Sequence, residues 1–335
     1  MSESTPVLRV KDLHVDYRLT GGLFSRGRRV RAVAGVDLVV PAGSTVGIVG
    51  ESGCGKSTLA RTIVGLLPPA SGQVLLGDVD LATASRATRR RLRPDVQMVF
   101  QDPYASLNPW MTVRDLISEP WQIHPGIVPR ERWDAEVDRL LELVGLRSSQ
   151  RGLRPHQFSG GQRQRICIAR SLAVRPKVIV CDEAVSALDV SIRAQILNLL
   201  RDVQAETGVS YVFVSHDLGV VRHIADSVAV MYLGRFVEQG RTDEVFGAPA
   251  HPYTQALLSA APAVDDWRHD RPEEIVLGGE VPSPLAPPSG CRFRTRCFKA
   301  RDSCAQIEPE LTDWAAGHQV ACHFAEADAR YGIVG

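Results

Sequence analysis

Residues 50–57 read Gly-Glu-Ser-Gly-Cys-Gly-Lys-Ser, a G-x-x-x-x-G-K-S loop, and this octapeptide restricts the fold more than any other part of the 335-residue chain. Such a loop requires a buried strand feeding it and a helix leaving it. Ser44–Val49 is a short apolar run, and the pattern from Lys56 to Leu67 is helical, with Pro68-Pro69 as its expected stop. The glycines let the backbone wrap closely around phosphate oxygens, while loop N–H groups and the helix N-terminus supply positive potential. Gly50, Ser52, Gly53, Cys54, Gly55, Lys56, Ser57 and Thr58 therefore form a candidate phosphate cradle, with Lys56 as a mobile charge and Ser57 as a hydroxyl ligand for Mg²⁺. A glycine-rich turn before an ordinary helix is the plain alternative, and it leaves the flanking strand and the later motifs unexplained.

A second apolar strand, Val178–Cys181, ends in Asp182-Glu183. Adjacent acids closing an all-apolar run are poor core design unless a cation or substrate meets them. Their expected roles differ: Asp182 holds the Mg²⁺ shell, and Glu183 polarises an attacking water. Elsewhere Val7–Tyr17 and Tyr211–Ser215 read as strands, and Ser227–Gln239 as a hairpin turning near Gly234. From Pro103 to about Gln157 the pattern is helical, with Val137, Leu140, Leu141 and Val144 at helical spacing within Arg132–Val144. His251–Ala261 reads as a short helix, Gly21–Arg29 as a Gly/Arg-rich insertion, and Pro262–Pro288 as a proline-rich linker. No internal repeat is visible.

Composition narrows the function classes. Apolar residues at 44% and charged residues at 23% suit a globular protein, and a net charge of +1 gives no basic field for nucleic acid. No apolar run approaches the ~20 residues that span a bilayer, and Met1–Asp16 lacks the apolar centre of a secretory signal. The chain is therefore expected to begin in the cytosol, with any membrane role exerted through partners.

Between the phosphate loop and the acids stands Ser159-Gly160-Gly161-Gln162, followed by Arg163-Gln164-Arg165. In this order, the set resembles the ATP-binding cassette proteins. The resemblance implies an α/β fold: a P-loop NTPase cassette with a RecA-like core, an antiparallel β subdomain and a helical subdomain at about 103–170. The cassette would occupy 1–262, followed by a linker at 263–288 and a small cysteine-containing extension at 289–330. It also implies that the helix N-terminus at Ser159–Gln162 faces the γ-phosphate held by a second subunit, so that two cassettes sandwich two ATP molecules. By the same resemblance His216 contacts the γ-phosphate and orients Glu183, and Gln101 senses metal and water at the hinge to the helical subdomain. Asp189 lies in the loop crossing the dimer interface, and Tyr17 stacks on adenine. Glu183, His216 and Gln101 are thus the candidate catalytic set, with Ser57, Gln101 and Asp182 around Mg²⁺. Phe158 stands where Leu is commonest, a harmless swap.

Gln101–Pro109, Asp182–Ile192 and Gly290-Cys291-Arg292-Phe293 narrow the resemblance to the ATPase subunits of oligopeptide and dipeptide permeases. This implies an ATP hydrolase peripheral to the cytoplasmic face of the cell membrane. Its partners would be a second homologous ATPase subunit, two transmembrane permease subunits and, indirectly, an extracytoplasmic solute-binding protein. Gly21-Gly22-Leu23-Phe24 resembles one of the two ATPases of such a system, implying a heterodimer. Nickel or another small solute is the alternative cargo. A soluble cassette ATPase acting on DNA or ribosomes is the alternative class, but only one cassette is present, and no long insertion separates the phosphate loop from Ser159.

Of seven cysteines, Cys291, Cys297, Cys304 and Cys322 cluster in the tail. In a segment too short for much of a core, cross-linking by a metal centre would compensate. The spacing is not the C-x2-C of common zinc sites. Similar permease ATPases carry this pattern, in some with a [4Fe–4S] cluster, which four thiolates suffice to ligate. Zinc, with His318 or His323 as substitutes, and four free thiols are the alternatives.

Overall fold

A computed structural model describes residues 6–18, 29–261 and 273–332. The Gly21–Phe24 insertion and residues 262–272 of the expected linker lie outside the described residues; residues 273–288 form neither helix nor strand. In chain order the elements begin with β1 (Pro6–Arg18), β2 (Arg29–Pro41), β3 (Thr45–Val49), α1 (Lys56–Ile63), β4 (Ser71–Leu76) and β5 (Val79–Asp80). Next come α2 (Arg86–Leu92), β6 (Val96–Val99), α3 (Pro103–Ser106), α4 (Val113–Ile123), α5 (Trp133–Leu143) and α6 (Gly160–Leu172). Then follow β7 (Val178–Asp182), α7 (Val190–Thr207), β8 (Ser210–Val214), α8 (Leu218–Ile224), β9 (Ser227–Tyr232) and β10 (Arg235–Arg241). The last are α9 (Thr242–Gly247), α10 (Pro252–Ser259), β11 (Thr312–Ala315) and β12 (His318–Val320).

These elements divide between two compact units. The first takes the described residues of Met1–Leu8, Val40–Thr45 and Leu76–Val214. Its strands β6, β7 and β8 are parallel, with Val99 opposite Cys181 and Asp182 opposite Val214. Every residue of β7 and β8 is buried, which is why both read as continuous apolar runs rather than alternating ones. The helical portion has its own core: Leu116, Ile117 and Trp121 of α4 with Val137, Leu140 and Leu141 of α5. Trp121 Nε1 donates to Ala173 O at 2.7 Å, closing α4 onto the end of α6.

The second unit takes Arg9–Val39, Val46–Leu75 and the described residues of Ser215–Gly335. In it β3 pairs parallel with β9, β9 forms an antiparallel hairpin with β10, and β12 pairs antiparallel with both β10 and β11. The hairpin turns at Leu233 (φ 42°) and Gly234 (φ 81°), where two successive left-handed residues match the strand twist. A further layer orders β2, β1 and β4 side by side. Helix α1 stops earlier than its pattern suggested. Gly65 (φ 73°) ends it with a Schellman motif, Leu66 N–H donating to Arg61 O and Gly65 N–H to Thr62 O, so the stop precedes the prolines.

Among the described residues no helix is long and apolar enough to cross a membrane.

Candidate nucleotide site

The phosphate loop leaves β3 and enters α1 within the second unit, and its glycines are needed for contact as well as conformation. A Cβ on Gly50 (φ 151°) would stand 2.2 Å from Met231 O, and one on Gly55 (φ 114°) 2.3 Å from Ala32 O. The loop is therefore pressed against backbone on two sides, which fixes its curve. Lys56 is buried, its ammonium donating to Gly50 O at 2.7 Å and Glu51 O at 2.9 Å, with Cys54 Sγ at 3.8 Å. Burial raises the Cys54 thiol, with Lys56 opposing, so it stands as a neutral packing group.

Two more predicted residues lie in this unit. Tyr17 is partly exposed, and its hydroxyl meets Thr58 Oγ1 at 3.2 Å, so the aromatic candidate and the first turn of α1 are brought together. His216 is exposed just past β8. The neighbouring Ser215 N–H donates to Ile48 O at 3.1 Å, which sets the histidine beside the end of β3, two residues before Gly50.

The remaining candidates belong to the first unit. Gln101, Asp182 and Glu183 all leave the C-terminal ends of the adjacent parallel strands β6 and β7, the edge at which open α/β sheets bind ligands. Asp182 is buried at the strand end. Glu183 follows in the left-handed region (φ 50°), a conformation costing a non-glycine residue of order 1–3 kcal/mol. It is held there by Glu183 N–H to Val214 O at 3.0 Å and by Ser186, whose N–H and hydroxyl both donate to Glu183 O.

Ser159 caps α6 through a reciprocal box: its hydroxyl accepts from Gln162 N–H at 3.4 Å, and Gln162 Oε1 accepts from Ser159 N–H at 3.0 Å. Ser159 is exposed, whereas Phe158 before it is buried. Gly160 approaches Leu188, and Gly161 packs on Ile192. Asp189 stands exposed at the start of α7. Arg163, just after Gln162, stacks its guanidinium 3.8 Å over the Tyr104 ring. Arg170 reaches Ser106 O at 2.9 Å, so α6 grips the segment following Gln101 twice.

Sequence reasoning missed a set of contacts on Glu51. Its N–H donates to the Tyr253 hydroxyl at 2.9 Å, and its carboxylate pairs with Arg296. Burial works against the Arg296 charge, but the Glu51 carboxylate and the Tyr232 hydroxyl together more than offset it, and the pKa is raised.

Comparison with known proteins agrees with this geometry. The protein-family model described as "ABC transporter" matches residues 33–186, and one described as "Oligopeptide/dipeptide transporter, C-terminal region" matches 237–304. The oligopeptide transport ATP-binding protein AppF of Bacillus subtilis (strain 168) is 49% identical over 319 residues, 95% of this chain and 97% of its own. This chain belongs to the ABC transporter ATP-binding proteins. Another similar member is the dipeptide transport ATP-binding protein DppF of Escherichia coli (strain K12), 47% identical over 323 residues and covered to 96% on both sides. Among solved ABC structures, the dimeric cassette MJ0796 bound to ADP and Pi matches with a TM-score of 0.62 at 27% identity, covering 70% of this chain and 98% of that one. The fold is thus the P-loop ABC cassette, and the activity of the family is ATP hydrolysis.

The tail cysteines Cys291, Cys297, Cys304 and Cys322 all line one cavity, with an empty space, open solvent included, of ≈ 330 Å³. Among the described residues no group of three or more His, Cys, Asp or Glu side chains is arranged to hold a metal ion. His318, offered as a zinc substitute, is committed elsewhere: it is buried and pairs with Glu238 at 2.7 Å. His323 Nε2 meets Ile307 O at 3.1 Å.

Proposed function

We propose that the chain is the ATP-hydrolysing subunit of a binding-protein-dependent importer for oligopeptides or dipeptides, peripheral to the cytoplasmic face of the membrane. One observation carries this reading: relatives named as oligopeptide and dipeptide transport ATP-binding proteins align over nearly the whole chain, including the tail. The partners would be two membrane permease subunits and a second, homologous ATPase, with a solute-binding protein outside.

In this reading the loop at 50–57 grips the triphosphate of one ATP, and the exposed N-terminus of α6 at Ser159–Gln162 addresses that of a second, held by the partner ATPase. Ser57, Asp182 and Gln101 offer hydroxyl, carboxylate and amide oxygens, a donor set suited to Mg²⁺, which neutralises phosphate charge when bound. Glu183 orients and deprotonates the attacking water, His216 contacts the γ-phosphate, Tyr17 stacks on adenine, and Asp189 meets the facing subunit. Arg163 and Arg170 link α6 to the segment after Gln101, a route by which closure reaches a membrane subunit. The cassette would span 1–262, with the linker at 263–288 and the cysteine extension at 289–330.

For the tail, the reading is a structural [4Fe–4S] cluster on Cys291, Cys297, Cys304 and Cys322, with zinc as the alternative. It rests on the cysteine pattern and on the four lining one cavity, while no described group of three or more His, Cys, Asp or Glu side chains is arranged to hold either metal. Anaerobic iron and sulfide analysis checks this; stoichiometric zinc without iron would overturn it. The function is tested by purifying the chain from membranes with its partners and assaying uptake of peptides and nickel. Peptide uptake abolished by Lys56→Ala is expected; uptake of nickel alone would refute the cargo.

A further inference from the structure

Glu51 puts a carboxylate into a loop whose purpose is to hold a polyanion. Left unpaired, that charge opposes a triphosphate. Its neutralisation comes from the other end of the chain: Arg296 Nη1 lies 3.0 Å from Glu51 Oε1 and 2.8 Å from Oε2. This is no surface pair of small consequence, since the Arg296 side chain is only 9% exposed and that of Glu51 25%.

Arg296 belongs to Cys291-Arg292-Phe293-Arg294-Thr295-Arg296-Cys297, whose terminal cysteines line the same cavity. Within this heptapeptide Arg292 donates to Leu233 O and pairs with Glu308 at 3.0 Å. Phe293 is buried edge-on against Tyr232 and Tyr253, with centroids 5.2 and 5.3 Å away. Tyr253 in turn accepts the Glu51 N–H. Backbone and side chain of Glu51 are thus both held from outside the loop, by groups that meet through this one tail segment.

We propose that Arg296 is a positioning residue for nucleotide binding: it neutralises Glu51 and ties the phosphate loop's affinity for ATP to the integrity of the cysteine-bracketed tail. The inference rests on the reading of residues 50–57 as the ATP cradle.

The test is equilibrium binding of Mg-ATP to the full chain at fixed salt, with thermal melts recorded alongside. Arg296→Gln should bind roughly tenfold more weakly, because it strands a half-buried carboxylate beside the phosphates. Glu51→Gln removes the opposing carboxylate and keeps the Arg296 charge, so it should bind Mg-ATP more tightly than the unaltered chain. The double variant should return to within about twofold of it, since no unpaired charge remains. Arg296→Lys, which keeps the charge, should retain most of the affinity. Cys297→Ser should weaken binding, and adding Glu51→Gln should relieve it. Unchanged binding by Arg296→Gln, or a double variant no better than Arg296→Gln, overturns the charge role; unchanged binding by Cys297→Ser overturns the tail link. If Arg296→Gln does not fold, the double variant decides, and a loss of roughly tenfold against the unaltered chain rejects the proposal. Failure of the unaltered chain to bind ATP, or undiminished binding by Lys56→Ala, would instead defeat the nucleotide reading itself.

Discussion

Gly161 lies so close to Ile192 that a Cβ on the glycine would stand 2.5 Å from Ile192 Cγ2. Through this contact α6, capped by Ser159, and α7, which follows Asp189, are locked in one relative position. Both segments predicted to face a partner subunit are therefore carried as a unit.

Gly161→Ala should force α6 off α7, at a cost of roughly 1–3 kcal/mol for overpacking. ATP binding at residues 50–57 should persist while turnover falls by about tenfold or more, since only the N-terminus of α6 at Ser159–Gln162 moves. Denaturant melts and steady-state hydrolysis check the two halves of this expectation.

Trp121→Phe tests the closure of the helical portion. It removes the donor to Ala173 O and leaves that buried carbonyl without its indole partner, for a loss of about 1–3 kcal/mol. Chemical denaturation should show a lower midpoint with an unchanged slope.

His251 makes a pH prediction. Burial pulls its pKa from 6.5 down to about 4, with the Glu238 carboxylate opposing. Between these values the unfolded chain takes up a proton that the folded chain refuses, so this contribution to stability is intact above pH 6.5 and lost as pH falls toward 4. The loss amounts to roughly 3 kcal/mol. His251 Nδ1 also caps α10, accepting from Tyr253 N–H. His251→Asn can keep that cap without the titration, so melts from pH 7 to 4 should show a flatter decline than the unaltered chain.

Much of this was legible because it is local. The phosphate loop announces its own strand and helix, the turn at Gly234 needs only its two left-handed residues, and Val137, Leu140, Leu141 and Val144 repeat at helical spacing and are buried as such. The stop of α1 was misread because Gly65 acts before the more conspicuous Pro68-Pro69. The turn at Glu183 was hidden because glutamate rarely adopts a positive φ, and only surrounding hydrogen bonds impose it. Glu51 and Arg296 are 245 positions apart, and no periodicity joins them. Strand β12, only three residues long, pairs with β10 through backbone groups that leave no side-chain pattern.

The account turns on Glu183 as the group that activates water. Steady-state hydrolysis and ATP binding should therefore be measured together on Glu183→Gln. The account predicts undiminished ATP binding with turnover lowered by roughly a hundredfold or more. Normal hydrolysis by that variant would contradict it.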